Sequence, residues 1–136
     1  FSPEAVLAAK ETALRGAGLS PNKMSSIQDL AGKILDGTVP VDNLTRLRDE
    51  VIIERLVVVR GIGRWTAEMF LMFQLRRIDV WPVDDYGVRK GYARAYKLAE
   101  LPKPKELMAL GERFRPYRSV AAWYCWRAVE APAGRV

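Results

Sequence analysis

Histidine is absent from the 136 residues, and cysteine occurs once, at Cys125. The first absence removes the commonest general base and the commonest metal ligand, so enzyme chemistry here must rest on carboxylates, lysine, tyrosine, hydroxyls or the lone thiol. The second excludes an intrachain disulfide, a four-cysteine iron–sulfur cluster and a cysteine zinc site, and it fits a reducing, intracellular setting. No apolar run reaches the roughly 18 to 20 residues of a membrane span, and the most apolar stretch, residues 69–75, is interrupted by Gln74. The opening Phe-Ser-Pro-Glu-Ala lacks a positive region followed by an apolar stretch, so no secretory signal is expected. Internal repeats, low-complexity tracts and linkers are also lacking.

What is present is 49% hydrophobic and 28% charged, the balance of a globular chain long enough for one domain with a core. The formal charge is +6 and the pI about 9.7, which favours polyanions such as nucleic acid or acidic membrane surfaces without choosing between them. The periodicity predicts an all-α fold of seven helices, a single domain over 1–136. Ser2-Pro3 and Ser20-Pro21 read as caps with proline at the first helical position. The first helix is expected to stop at Gly16 and Gly18, and the second at Gly37. The third covers about 44–57, with Leu47, Val51, Ile52 and Leu56 inward, and the fourth about 64–75. Residues 80–83, Val-Trp-Pro-Val, read as extended, because the residue before proline is pushed away from helical angles. Asp84-Asp85 then opens a fifth helix towards Tyr96. A sixth spans 106–114, a seventh 119–129, and the tail from Ala131 is expected to fray.

Residues 56–67 read as helix, tight glycine hairpin, helix. Gly61 and Gly63 can take positive φ and let a backbone approach without a Cβ in the way, while Ile62 between them can serve as an apolar plug. The amides that start the second helix, from Arg64 through Thr66, suit a phosphate oxygen and would hold DNA without reading its sequence. A bare Gly-x-Gly is more often a plain helix–helix turn; the apolar flank before it, the Thr-Ala after it and the basic all-α context tilt the reading towards nucleic acid.

Three segments carry a resemblance. Gly-Ile-Gly-Arg-Trp-Thr-Ala from 61, Trp-Pro-Val-Asp-Asp-Tyr from 81 and Arg-Pro-Tyr-Arg-Ser-Val-Ala-Ala-Trp-Tyr-Cys-Trp from 115 resemble, in order and spacing, the DNA-3-methyladenine glycosylase II branch of the helix-hairpin-helix DNA glycosylase superfamily. Residues 18–23, Gly-Leu-Ser-Pro-Asn-Lys, are similar to the segment before the helix that packs beside the hairpin. The resemblance implies an HhH-GPD-like helical bundle, and it leaves room for an N-terminal part that carries a DNA-wedging residue and completes the core. It implies Asp85 as the catalytic carboxylate, Trp126 and Trp65 as base-pocket residues, and Gly61, Ile62, Gly63 and Thr66 of the hairpin as the DNA grip. Of the basic residues that surround this face in sequence, Arg60, Arg64, Arg89, Lys90, Arg94, Arg113, Arg115 and Arg118, most are expected to be solvated surface, and Arg64 and Lys90 are the expected phosphate contacts. A cation, if the hairpin holds one, is implied on the backbone carbonyls of Val57, Val59 and Ile62, with no other cofactor required. The lyase branch has its Schiff-base lysine where this chain has Trp65, so a monofunctional enzyme is implied, one that leaves the abasic site uncut. The expected partner is duplex DNA with alkylated bases and not a membrane, met by a monomer inside the cell: in the cytoplasm or nucleoid of a bacterium, or the nucleus of a eukaryote.

The chemistry needs no histidine. A purine alkylated at N3 or N7 is cationic and leaves without a general acid, while a carboxylate beside the sugar stabilises its oxocarbenium character and orients water. An indole face attracts a flipped cationic base by about 0.5 to 2 kcal/mol. On the residues alone, Asp84 and Asp85 could simply cap a helix and the aromatics could simply pack a core. A non-catalytic DNA-binding module and a purely structural bundle therefore stand beside the enzyme at this point.

Overall fold

The computed structural model describes residues 2–130, and the expectation for the tail from Ala131 lies outside them. Every regular element among the described residues is helical, as the periodicity predicts. The chain divides into two compact units, Phe1–Ala67 and Glu68–Val136.

In the first unit, the Ser2 hydroxyl oxygen accepts the Ala5 amide and opens α1 (Pro3–Ala8). The expected single first helix is broken: Ala9 and Lys10 are extended, and α2 (Glu11–Gly16) restarts beyond them. Ala-Ala-Lys favours helix, so the break is tertiary in origin; it lays two short pieces on α3 (Pro21–Leu35). Ser20 caps α3, and Gly37, at φ +81°, follows its end. The expected third helix is also divided. Residues 41–46 form a 3₁₀ turn after Pro40, Leu47 and Arg48 are extended, and α4 (Asp49–Val57) begins where two acids meet the positive end of a helix. Ile52, Ile53 and Leu56 are buried on α4, whereas Leu47 and Val51 are only partly covered. After the hairpin, α5 (Arg64–Met69) starts the predicted fourth helix.

That helix continues into the second unit and changes pitch. Residues 70–74 form a π turn closed by the Leu75 amide on the Phe70 carbonyl at 3.1 Å. A non-helical strap follows, in which Val80, Trp81, Pro82 and Val83 are buried. The strap leads to α6 (Tyr86–Ala95), α7 (Pro104–Gly111), a 3₁₀ turn over 112–114 and α8 (Arg118–Glu130). α7 starts two residues before the predicted sixth helix, because Pro104 fits a first helical position and Glu106 returns to accept the Lys103 amide at 2.8 Å. α6 packs on α8.

Candidate active site

The strap exists to be held still. Asp79 takes the Arg118 guanidinium at 2.8 and 3.1 Å, and Arg118 also donates to the Asp79 carbonyl at 3.0 Å. Burial works to raise the Asp79 pKa, but the Arg118 side chain and amide outweigh it and hold the carboxyl below its ordinary range. Ser119 receives the Val80 amide at 2.9 Å and donates to the Arg77 carbonyl at 2.7 Å. Trp81 donates its indole N–H to the Leu107 carbonyl at 2.8 Å and lies over Gly111, where a Cβ would be 2.2 Å from the indole nitrogen. Trp81 is therefore a core anchor.

Just beyond the strap, Asp85 is the N-cap of α6. Its Oδ1 accepts the Val88 amide at 2.8 Å and the indole N–H of Trp126, on α8, also at 2.8 Å. Hydrogen bonds to a charged group are worth about 1.5 to 3 kcal/mol each, enough to hold the side chain in one place. Trp126 stacks on Phe73, with ring centroids 6.0 Å apart and planes 26° from parallel. Phe73 comes from the π turn and is 62% exposed. A half-buried carboxylate thus sits beside an accessible aromatic pair, while Asp84 is exposed. One helix does two jobs: the first turn of α8 clamps the strap, and Trp126, two turns later, reaches the acid that the strap delivers.

The hairpin lies in the first unit. Gly61 has φ +79°, as expected, and a Cβ there would lie 2.6 Å from the Ser26 hydroxyl oxygen. Gly63 is a correction: it is not among the positive-φ residues, and a Cβ on it would meet open space. The turn needs only one left-handed residue, so Gly63 serves an exposed surface and not the bend. Ile62 is half-buried, and its amide donates to the Val59 carbonyl at 3.1 Å. Asp29, on α3, accepts the Arg60 amide at 2.7 Å and pairs with Lys33; these two contacts hold its carboxyl below the ordinary range.

The other predicted residues take varied places. Arg64 forms a fork with Glu50, at 2.7 and 3.1 Å, and its guanidinium lowers the Glu50 pKa. Trp65, half exposed, and Thr66, exposed, stand on α5 in the first unit. Lys90 is exposed, with its ammonium 5.9 Å from the Tyr86 ring centre. Several basic residues grouped with the grip in sequence are structural: Arg115 and Arg118 bind Asp79 and Glu112, and Arg89 donates to the Pro102 carbonyl at 2.9 Å. Burial pushes the Cys125 thiol up to about 11, which leaves it unreactive. Sequence reasoning missed Phe73, Asp79, Ser119 and Asp29. Their partners lie far along the chain, and only the presence of Ser119 in a quoted motif gave any signal.

Among the described residues no group of three potential acidic, thiol or imidazole ligands is placed to hold a metal ion, and no helix is long and apolar enough to cross a membrane.

Residues 1–116 match the model of the HhH-GPD superfamily base excision DNA repair protein. DNA-3-methyladenine glycosylase 1 of Schizosaccharomyces pombe is 39% identical over 115 residues, covering 84% of this chain and 50% of that protein. DNA-3-methyladenine glycosylase 2 of Escherichia coli is 29% identical over 126 residues, 92% of this chain and 41% of that one. The structure of the S. pombe 3-methyladenine DNA glycosylase in complex with abasic DNA superposes with a TM-score of 0.85 at 35% identity, over 99% of this chain and 66% of that chain. The chain spans about half the length of the curated relatives it matches. By the family match over residues 1–116 and these relatives, the chain belongs to the HhH-GPD superfamily of base excision DNA repair proteins.

Proposed function

We propose that the chain is the catalytic part of a monofunctional DNA glycosylase that hydrolyses the N-glycosidic bond of alkylated purines, such as 3-methyladenine, in duplex DNA. The observation that carries this reading is the Asp85 carboxylate, held by two N–H donors beside the Phe73–Trp126 pair. A helix cap alone needs no second donor from another helix and no accessible aromatic partner.

In this reading a flipped, cationic purine meets the aromatic pair. The C1′–N bond breaks with both electrons passing to the base, which leaves neutral. Asp85 stabilises the cationic sugar, and water adds to C1′ while losing its proton to the carboxylate or to solvent. Trp65 offers no amine for a covalent sugar adduct, so the strand stays intact. The chain acts as a monomer inside the cell and requires no cofactor. A monovalent cation would rest on the carbonyls of Val57, Val59 and Ile62, donors of the hard oxygen type that such ions prefer, and would add positive charge near a phosphate; no step passes through it. The test is incubation with methylated duplex DNA. Free methylated purine and an uncut abasic strand are expected, whereas DNA binding without base release would make the chain a non-catalytic binding module.

The two hairpin glycines should respond differently. Gly61→Ala forces a left-handed alanine against Ser26 and should destabilise the chain by about 1 to 2 kcal/mol. Gly63→Ala puts a methyl into open space, so its melting temperature should match the wild type while duplex DNA binds several-fold more weakly. Unchanged affinity for Gly63→Ala would remove that surface from the DNA contact.

A further inference from the structure

We propose that Trp126 is a positioning residue for Asp85, acting through its indole N–H, and that Gly87 is the gap which makes the contact possible. This rests on the role given to Asp85 above. The Val88 amide is the donor that any N-cap acid receives, and by itself it leaves the carboxylate's terminal torsion broad. The second donor comes from 41 residues further along, on another helix, and reaches the same oxygen at 2.8 Å. Two donors from two elements on Oδ1 fix where the other oxygen points. The indole N–H can only donate, and Phe73 holds the ring plane.

Gly87 supplies an independent observation. It lies in the first turn of α6, and its φ is not among the positive ones. Glycine in a helix is disfavoured against alanine, so the backbone gives no reason for it here. The reason is space: a Cβ would lie 2.7 Å from Trp126 Cδ1, 3.1 Å from Trp126 Nε1 and 3.1 Å from Asp85 Oδ1. Any side chain at position 87 would crowd donor and acceptor at once and push the indole off the carboxylate oxygen. A role confined to stacking on a base would require the indole ring but neither its N–H nor this gap.

The experiment compares Trp126→Phe, which keeps an aromatic ring against Phe73 but has no N–H, with Gly87→Ala. In single-turnover release of a methylated purine, Trp126→Phe should be slower by about tenfold, the scale of one lost hydrogen bond to a charged group, with duplex affinity within about twofold. Adding Trp126→Phe to Asp85→Asn should slow release no further. In the ¹⁵N-labelled chain without DNA, the Trp126 indole N–H resonance should move in both Asp85→Asn and Gly87→Ala. The proposal is overturned by wild-type release from Trp126→Phe, by a loss of binding that matches the loss of rate, or by an indole resonance that stays in place. A wild-type chain that releases no base overturns the glycosylase reading instead, and the resonance then decides the positioning contact by itself.

Discussion

Asp85→Asn should slow release of a methylated purine by about a hundredfold or more while leaving duplex DNA bound and the fold intact. Asparagine is as good an N-cap as aspartate, and its amide oxygen can still accept the Val88 and Trp126 N–H groups. What the substitution removes is the negative charge. In a glycosidic cleavage, that charge is the group that stabilises the sugar as the bond breaks, and losing one preorganised electrostatic partner typically costs about 10² to 10³ in rate. A capping role and a catalytic role therefore separate cleanly. If Asp85 only caps α6, the variant melts and turns over like the wild type; if it is catalytic, the melting temperature stays within a few degrees while release collapses. Single-turnover kinetics beside a thermal melt gives both readings. Near-normal release would move the chemistry to another residue.

The sequence made Asp85 visible because its signal is local. An acid after an extended Trp-Pro-Val and before a helix reads as a cap, and the resemblance added the chemistry. Gly61 was legible for the same reason, since a tight turn demands a left-handed residue within a few positions. The features that set the site's geometry were not legible. Phe73 reads as one more apolar residue in a helix; a π turn exposes it, and no helical periodicity encodes such a change of pitch. Asp79 and Arg118 are 39 residues apart, and Asp29 meets the Arg60 amide across 31. Arg118 reads as one more basic surface residue until the fold pairs it. Gly63 shows the opposite error: glycine invites a positive φ, yet here the backbone does not use it. The breaks at Ala9 and Leu47 belong to the same class, because local propensity carries helix through the first and packing decides otherwise.

Gly91→Ala tests the contact on which the second unit depends, and it sets two effects against each other. Alanine is the better helix former by about 1 kcal/mol, so propensity alone predicts a gain in stability. But a Cβ on Gly91 would lie 1.8 Å from the Cys125 carbonyl oxygen, 2.4 Å from its carbon and 2.7 Å from its Cα. These are backbone atoms of α8, which cannot rotate away as a side-chain tip can. Ordinary contact begins near 3.4 Å, so the two helices must move apart, and the packing of Val88, Tyr92 and Ala122 loosens with them. Overpacking of this kind costs about 3 kcal/mol or more, which exceeds the propensity gain and should lower the melting temperature by about 10 °C. Gly32→Ala is the internal control. Gly32 lies within α3 with nothing inside 4 Å of its Cβ position, so there the propensity term acts alone and the variant should melt slightly above the wild type. Base release should fall with Gly91→Ala as well, because Asp85 stands on α6 and Trp126 on α8, and separating those helices stretches the 2.8 Å bond between them. A Gly91→Ala chain that melts with the wild type would mean that α6 and α8 do not cross at this backbone contact.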